Sequence, residues 1–183
     1  RRFLNPKQPE SYELFSDAGT GIVLSNTSKS SQGVIYSDRR TWPEYAHTTE
    51  IRGGLTGLAP EFYSSEPEEY LFDMQGFEVL KAVAKVIPHF FEEFKQKSGL
   101  EIEDFEAIIP HQASKALGLM MRLLEIPEGK YEDWVQSHGN MVSASIPYIL
   151  CKLLEGDSLK EGHKVLLCGT AAGLSANVVA IEV

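Results

Sequence analysis

The chain has 183 residues, 43% apolar and 23% charged, with 17 basic against 26 acidic side chains and a net charge of −9. That length holds one domain with a sizeable core, or at most two small ones. So acidic a chain excludes the broad electrostatic footprint of a nucleic-acid or anionic-membrane binder, and any basic docking patch has to be local.

Residues 1–11 are polar, contain two prolines and read as a lead-in to a domain covering 12–183. The Arg1-Arg2 start, without initiator Met or signal peptide, reads like the middle of a longer protein. Residues 12–26, YELFSDAGTGIVLSN, set two apolar runs around a Gly-rich turn and predict strand, turn, strand. A polar loop over 25–31 precedes a short strand candidate over 33–36. Residues 38–70 have no clear period and predict a long excursion of loop and short elements. The period then changes. Leu80, Val83, Ile87, Phe90 and Phe94 fall at spacings of 3 and 4, the stripe of an amphipathic helix over about 75–97. Pro88 should kink it and Ser98-Gly99 end it. With Phe77, Phe90, Phe91 and Phe94 it carries more apolar surface than one small sheet face covers. It and a helix over 143–155 are therefore expected to rest partly on a surface beyond that sheet face. Residues 105–109 read as a buried strand stopped by Pro110, and 112–125 as a second helix. Residues 126–137 read as a polar connector with a short helical turn, and 143–155 as a third helix. Residues 164–167 and 177–183 read as strands around a small-residue turn at 169–173. Strands alternating with such helices predict an α/β layered domain. No apolar run approaches 18 residues, so no membrane-spanning helix is expected.

Three places can carry chemistry. Pro110-His111-Gln112 stands where a strand gives way to a helix, the end at which α/β sheets place ligands. His138-Gly139-Asn140 comes just before the third helix. Cys168 to Ser175, CGTAAGLS, lets backbone approach backbone or ligand closely. Taken singly, His111 can be a strand-end histidine bonded to a carbonyl, Asn140 an N-cap, and the turn a tight hairpin. Together, their order and the 29-residue separation of His111 and Asn140 point to function.

With SDAGTGIVL (16–24), FDMQGFEVLK (72–81), IIPHQAS (108–114), HGNMVSASIP (138–147) and VLLCGTAAGLSA (165–176), the chain resembles the β-ketoacyl-acyl-carrier-protein synthase III family of the thiolase-like superfamily. The resemblance runs from about residue 12 to 183. It implies a thiolase-like half with a mixed five-stranded sheet covered by helices, and a decarboxylating Claisen condensation in fatty acid or related acyl and polyketide biosynthesis. It implies that His111 and Asn140 donate hydrogen bonds to the malonyl thioester oxygen, where charge develops as carbon dioxide leaves. Each such donor is worth about 3–4 kcal/mol in a dry site. His111 must then be neutral at rest. The Ala172 N–H aligns with an oxyanion donor for acyl transfer.

The family's acyl-carrying cysteine lies upstream of the region matched here. Cys151, within the third helix, is expected to be buried packing, and nothing places Cys168 at a helix N-terminus or beside a base. Two cysteines also exclude a disulfide-built scaffold and a cysteine zinc site, and their use suits a reducing, cytoplasmic setting. No metal and no cofactor is expected; coenzyme A or phosphopantetheine thioesters are the substrates. The partners implied are acyl carrier protein, the protein's own N-terminal half and a second copy in a homodimer, with no nucleic acid and no membrane. Gln112, Ser114, Lys115, Arg122 and Thr170 are weaker candidates for substrate or carrier-protein contact. Many members have Asn and Arg at the positions of Ser114 and Ala116. Lys115 and Arg122, seven apart on one helix face, are a candidate substitute basic patch or a solvated face. Two rivals stand beside this reading. SDAGTGIVL also resembles the phosphate hairpin of actin/hexokinase-type ATPases, and some condensing-enzyme relatives are non-catalytic scaffold halves of heterodimers.

Overall fold

The computed structural model describes residues 3–25, 32–54 and 56–183. In chain order its helices and strands are α1 (Pro9–Tyr12), β1 (Gly33–Thr41), β2 (Thr49–Glu50), β3 (Asp73–Met74), α2 (Gly76–Ser98), β4 (Ala107–Pro110), α3 (Leu117–Leu123), α4 (Val135–His138), α5 (Ser145–Glu155), β5 (Lys164–Ala171) and β6 (Ser175–Glu182). The main sheet has the order β1-β6-β5-β4, and β2 and β3 form a separate two-stranded ladder. β4 and β5 are parallel, whereas β6 runs antiparallel to both of its neighbours, so the sheet is mixed.

Side-chain alternation along the strands builds three layers. Ile108 and Leu166 point to one face, where they pack with Ile87, Phe90, Phe91 and Phe94 of α2 and Met120 and Met121 of α3. Ala107, Ile109 and Val165 point to the other, against Ile149 of α5 and Leu159. The run AIIP is buried on both faces, as a strand between two helical layers must be. α2 ends where the sequence says it should: Gly99 takes the left-handed conformation at φ +68° and its N–H donates to the Lys95 carbonyl. The helix runs through Pro88 as a single element.

Several expectations need correcting. The mixed α/β layering is present, but the main sheet has four strands among the described residues, not five. Within the range expected to be a hairpin, the described residues 12–25 form none. Residues 16–25 have no regular structure, and Ile22, Val23 and Leu24 are exposed. No strand among the described residues offers their backbone a ladder. Most of the polar loop at 25–31 lies outside the described residues. The strand candidate at 33–36 extends to Thr41, and the second helix starts only at Leu117. Phe90, Phe91 and Phe94 need no further half to cover them. The chain's own sheet and α3 bury them, Trp42 meets Phe90 edge-on, and only Phe77 stands exposed.

Candidate active site

His111 leaves the sheet at the carboxyl end of β4. The parallel register sets Pro110 opposite Cys168, and the His111 N–H extends that ladder by donating to the Cys168 carbonyl at 2.7 Å. The backbone then turns sharply, with the Ala113 N–H donating to the His111 carbonyl at 2.9 Å. The imidazole is half-buried, and that desolvation lowers its pKa below the ordinary histidine value, so it is neutral at neutral pH. Sealed side-chain polar atoms without a partner, among the described residues, are confined to Ser145 Oγ.

Asn140 reaches the same turn from the far side. Its Nδ2 donates to the Ala113 carbonyl at 3.3 Å, and its Oδ1 accepts the Val142 N–H at 2.8 Å. These partners fix which end of the amide is oxygen. One Nδ2 proton is left to donate elsewhere. Thus one side-chain contact, across 27 positions, joins Asn140 to the backbone two residues beyond His111. The approach depends on Gly139, at φ +70° and ψ −164°. A Cβ there would lie 2.6 Å from the Leu14 carbonyl oxygen and 3.1 Å from Ser16 Oγ. Val142, a β-branched residue at φ +53°, holds further strain next to Asn140. The strain persists because its N–H is engaged by the Asn140 side chain.

Sequence reasoning missed the clamp on that loop. The Asn140 N–H donates to the Leu14 carbonyl at 2.9 Å, and the Ser16 N–H returns a bond to the Asn140 carbonyl at 3.0 Å. Ser16 Oγ also donates to the His138 carbonyl. The start of SDAGTG therefore braces HGN, and it is not a phosphate hairpin, which removes the structural basis of the ATPase reading. The required glycine in HGN was the signal that something passes close.

The other candidates divide. β5 runs parallel to β4, so its carboxyl end and the turn after it lie at the same end of the sheet as His111. Ala172, in that turn, is exposed, and Gly173 at φ +110° closes it. Thr170 is a half-buried strand residue opposite Ala176, one strand-step from Gly169. Ser114 Oγ accepts the Ala116 N–H at 3.2 Å, a local turn that starts α3. Gln112 is no surface contact for a carrier protein. It is fully buried and bonded to three backbone groups. Lys115 precedes α3, so the single helical face proposed for it and Arg122 does not exist, although both are exposed. Cys151 is exposed on α5, not core packing, and its hydrogen bond to Glu155 raises its thiol pKa. Burial pushes the Cys168 thiol up to about 12. Neither is an activated nucleophile. Among the described residues no three His, Cys, Asp or Glu side chains cluster to hold a metal, and no helix is long and apolar enough to cross a membrane.

A mixed sheet between helical layers, with His, Asn and a small-residue turn at one strand end, defines a thiolase-like fold. A solved 3-oxoacyl-(acyl-carrier-protein) synthase III matches 99% of this chain and 57% of its own with a TM-score of 0.81 at 20% identity. Another, from Pseudomonas aeruginosa PAO1, gives 0.76 at 21% identity over 98% of this chain and 54% of its own. Residues 96–183 match the family model described as 3-oxoacyl-[acyl-carrier-protein (ACP)] synthase III C terminal. A beta-ketoacyl-[acyl-carrier-protein] synthase III of Clostridium perfringens is 30% identical over 98% of this chain and 55% of its own length. An acetoacetyl CoA synthase of Streptomyces sp. is 30% identical over 99% of this chain and 56% of its own. The chain belongs to the β-ketoacyl-acyl-carrier-protein synthase III family, and it spans about half the length of the curated relatives it matches.

Proposed function

We propose that this chain is the C-terminal catalytic half of a condensing enzyme that joins an acyl thioester to malonyl-acyl-carrier protein with loss of carbon dioxide. The observation that carries the reading is the bond from Asn140 Nδ2 to the backbone two residues beyond His111. It brings an amide donor and a neutral imidazole to one strand end.

In the proposed reaction the bond between the malonyl carboxylate and Cα breaks, and its electron pair moves onto the thioester oxygen as an enolate. Asn140 and the imidazole N–H of His111 donate to that oxygen. The enolate carbon then attacks the acyl carbon, and the thiolate that carried the acyl group leaves. Asn140 is held before charge develops by its bonds to Ala113 and Val142, so little reorganisation of that donor accompanies the step. A protonated His111 would face a costly desolvation, and the lowered pKa keeps the ring in the neutral donor form. The Ala172 N–H is proposed as an oxyanion donor during acyl transfer. The acyl-carrying thiol is proposed to come from a cysteine outside this chain, in an N-terminal half, because Cys151 and Cys168 are both shifted towards the thiol form. Acyl carrier protein or coenzyme A delivers the substrates, no resident cofactor takes part, the working unit is a homodimer, and the product enters fatty acid or related acyl synthesis.

The test uses the full-length protein. His111→Ala or Asn140→Ala should each lower malonyl decarboxylation by about 10²–10³-fold while acylation of the cysteine continues. Equal losses in both half-reactions would overturn these roles. The 183-residue chain alone should show no condensation.

A further inference from the structure

Gln112 lies between the two groups assigned above, and its side chain is 0% exposed. Its Nε2 donates to the Pro110 carbonyl at 2.8 Å, on the strand end that carries His111. The same nitrogen donates to the Glu132 carbonyl at 3.0 Å, and Oε1 accepts the Trp134 N–H at 2.7 Å. Trp134 immediately precedes α4, and α4 leads directly into Gly139 and Asn140. From Asn140 the chain returns through Nδ2 to Ala113. The segments bearing His111 and Asn140 are thus joined into a closed ring with two side-chain links, Gln112 at one end and Asn140 at the other.

A buried amide with both its protons and its oxygen committed to backbone is a rigid spacer. Sealed from solvent, with both protons used, it has no donor left to offer a substrate. A shift of either segment breaks a buried bond and leaves a carbonyl or N–H unpaired. We infer that Gln112 is a positioning residue, whose three backbone bonds set the separation and aim of His111 and Asn140. This inference rests on the roles proposed for those two side chains.

The experiment compares Gln112→Glu and Gln112→Ala in the full-length protein. Glutamate keeps the size of the side chain and the acceptor for the Trp134 N–H. It lacks protons for the Pro110 and Glu132 carbonyls unless its carboxyl is protonated. The ionisable side chains on the two joined segments are His111, Glu132, Asp133 and His138; the two acids further disfavour an ionised carboxyl there. Misplacement of about 1 Å costs on the order of 10²-fold in rate. Gln112→Ala should therefore lose about that much kcat for malonyl decarboxylation, with KM and cysteine acylation nearly unchanged. Gln112→Glu should lose as much at pH 8 and recover part of its kcat as the pH falls, which the wild type does not do. A rise in KM at constant kcat would make Gln112 a substrate contact and overturn the proposal. So would wild-type kcat in a destabilised protein, or failure of both variants to fold at every pH, since either assigns Gln112 to the fold alone. If His111→Ala and Asn140→Ala leave decarboxylation intact, the functional reading itself is wrong. If those two abolish it while Gln112 variants keep full kcat, only the positioning inference falls.

Discussion

At the scale of single residues, burial and backbone conformation decide more than residue type. His111 is neutral because desolvation penalises its charged form. Its pKa is lower in the folded chain than in the unfolded one, so the unfolded state binds more protons as acid is added. Stability is then complete above the unfolded value of about 6.5 and declines as the pH falls towards the lower folded value. In urea melts from pH 8 to pH 5 the wild type should lose stability relative to His111→Asn as the pH falls, because the variant lacks this component. Parallel curves would mean that the ring is solvated. Gly139 is the other decisive residue. Ala there would place a Cβ 2.6 Å from the Leu14 carbonyl oxygen, at a φ of +70°. Backbone strain alone costs about 1–3 kcal/mol, and the clash adds to it. Gly139→Ala should lower the denaturation midpoint and free Ser16 from HGN, seen as faster exchange of the Ser16 and Asn140 amides.

Among the elements, α2 shows how a periodic stripe is divided. Phe94 is fully buried and touches Tyr36, Phe91 and Phe105 at ring-centroid distances of 5.7, 5.6 and 6.4 Å. Phe77, in the first turn of the same helix, is exposed. Phe94→Ala should cost about 3–5 kcal/mol in denaturant unfolding, whereas Phe77→Ala should stay within about 0.5 kcal/mol. Comparable losses at both positions would show that the first turn of α2 has a cover of its own. The elements that carry the site are short, and their ends matter more than their lengths. β4 contributes the residue just past its end, α4 its exit, and β5 the turn that follows it.

For the whole molecule, the core is closed on both faces of the sheet, and the apolar surface left over lies elsewhere than the helical stripe suggested. Ile22, Val23 and Leu24 are 68%, 94% and 90% exposed, and Val34 and Ile35 on β1 are exposed as well. Patches of contiguous exposed apolar residues bind apolar probes. The chain should enhance the fluorescence of an apolar-surface dye in its folded state, and the double substitution Val23→Asp with Leu24→Asp should reduce that signal without moving the melting midpoint. A midpoint that falls would place these side chains in the core.

The amino-acid sequence by itself determined the layered α/β class, the long helix with its Gly99 stop, the strand before Pro110 and the family resemblance. Each rests on local period, capping or a contiguous motif, which neighbouring residues encode directly. It also picked out His111 and Asn140. It could not show that Gln112 is sealed in backbone bonds, that Lys115 stands before its helix, or that Cys151 faces solvent while Cys168 is half-buried. Nor did it show that residues 14–16 brace HGN across 122 positions. Those facts depend on which segments meet, and a side chain's burial and partners are set by residues far away in the chain. The same cause undid the hairpin expected at 12–26. Two apolar runs around glycines satisfy the local rule for a strand pair, but a strand exists only where another strand accepts its hydrogen bonds.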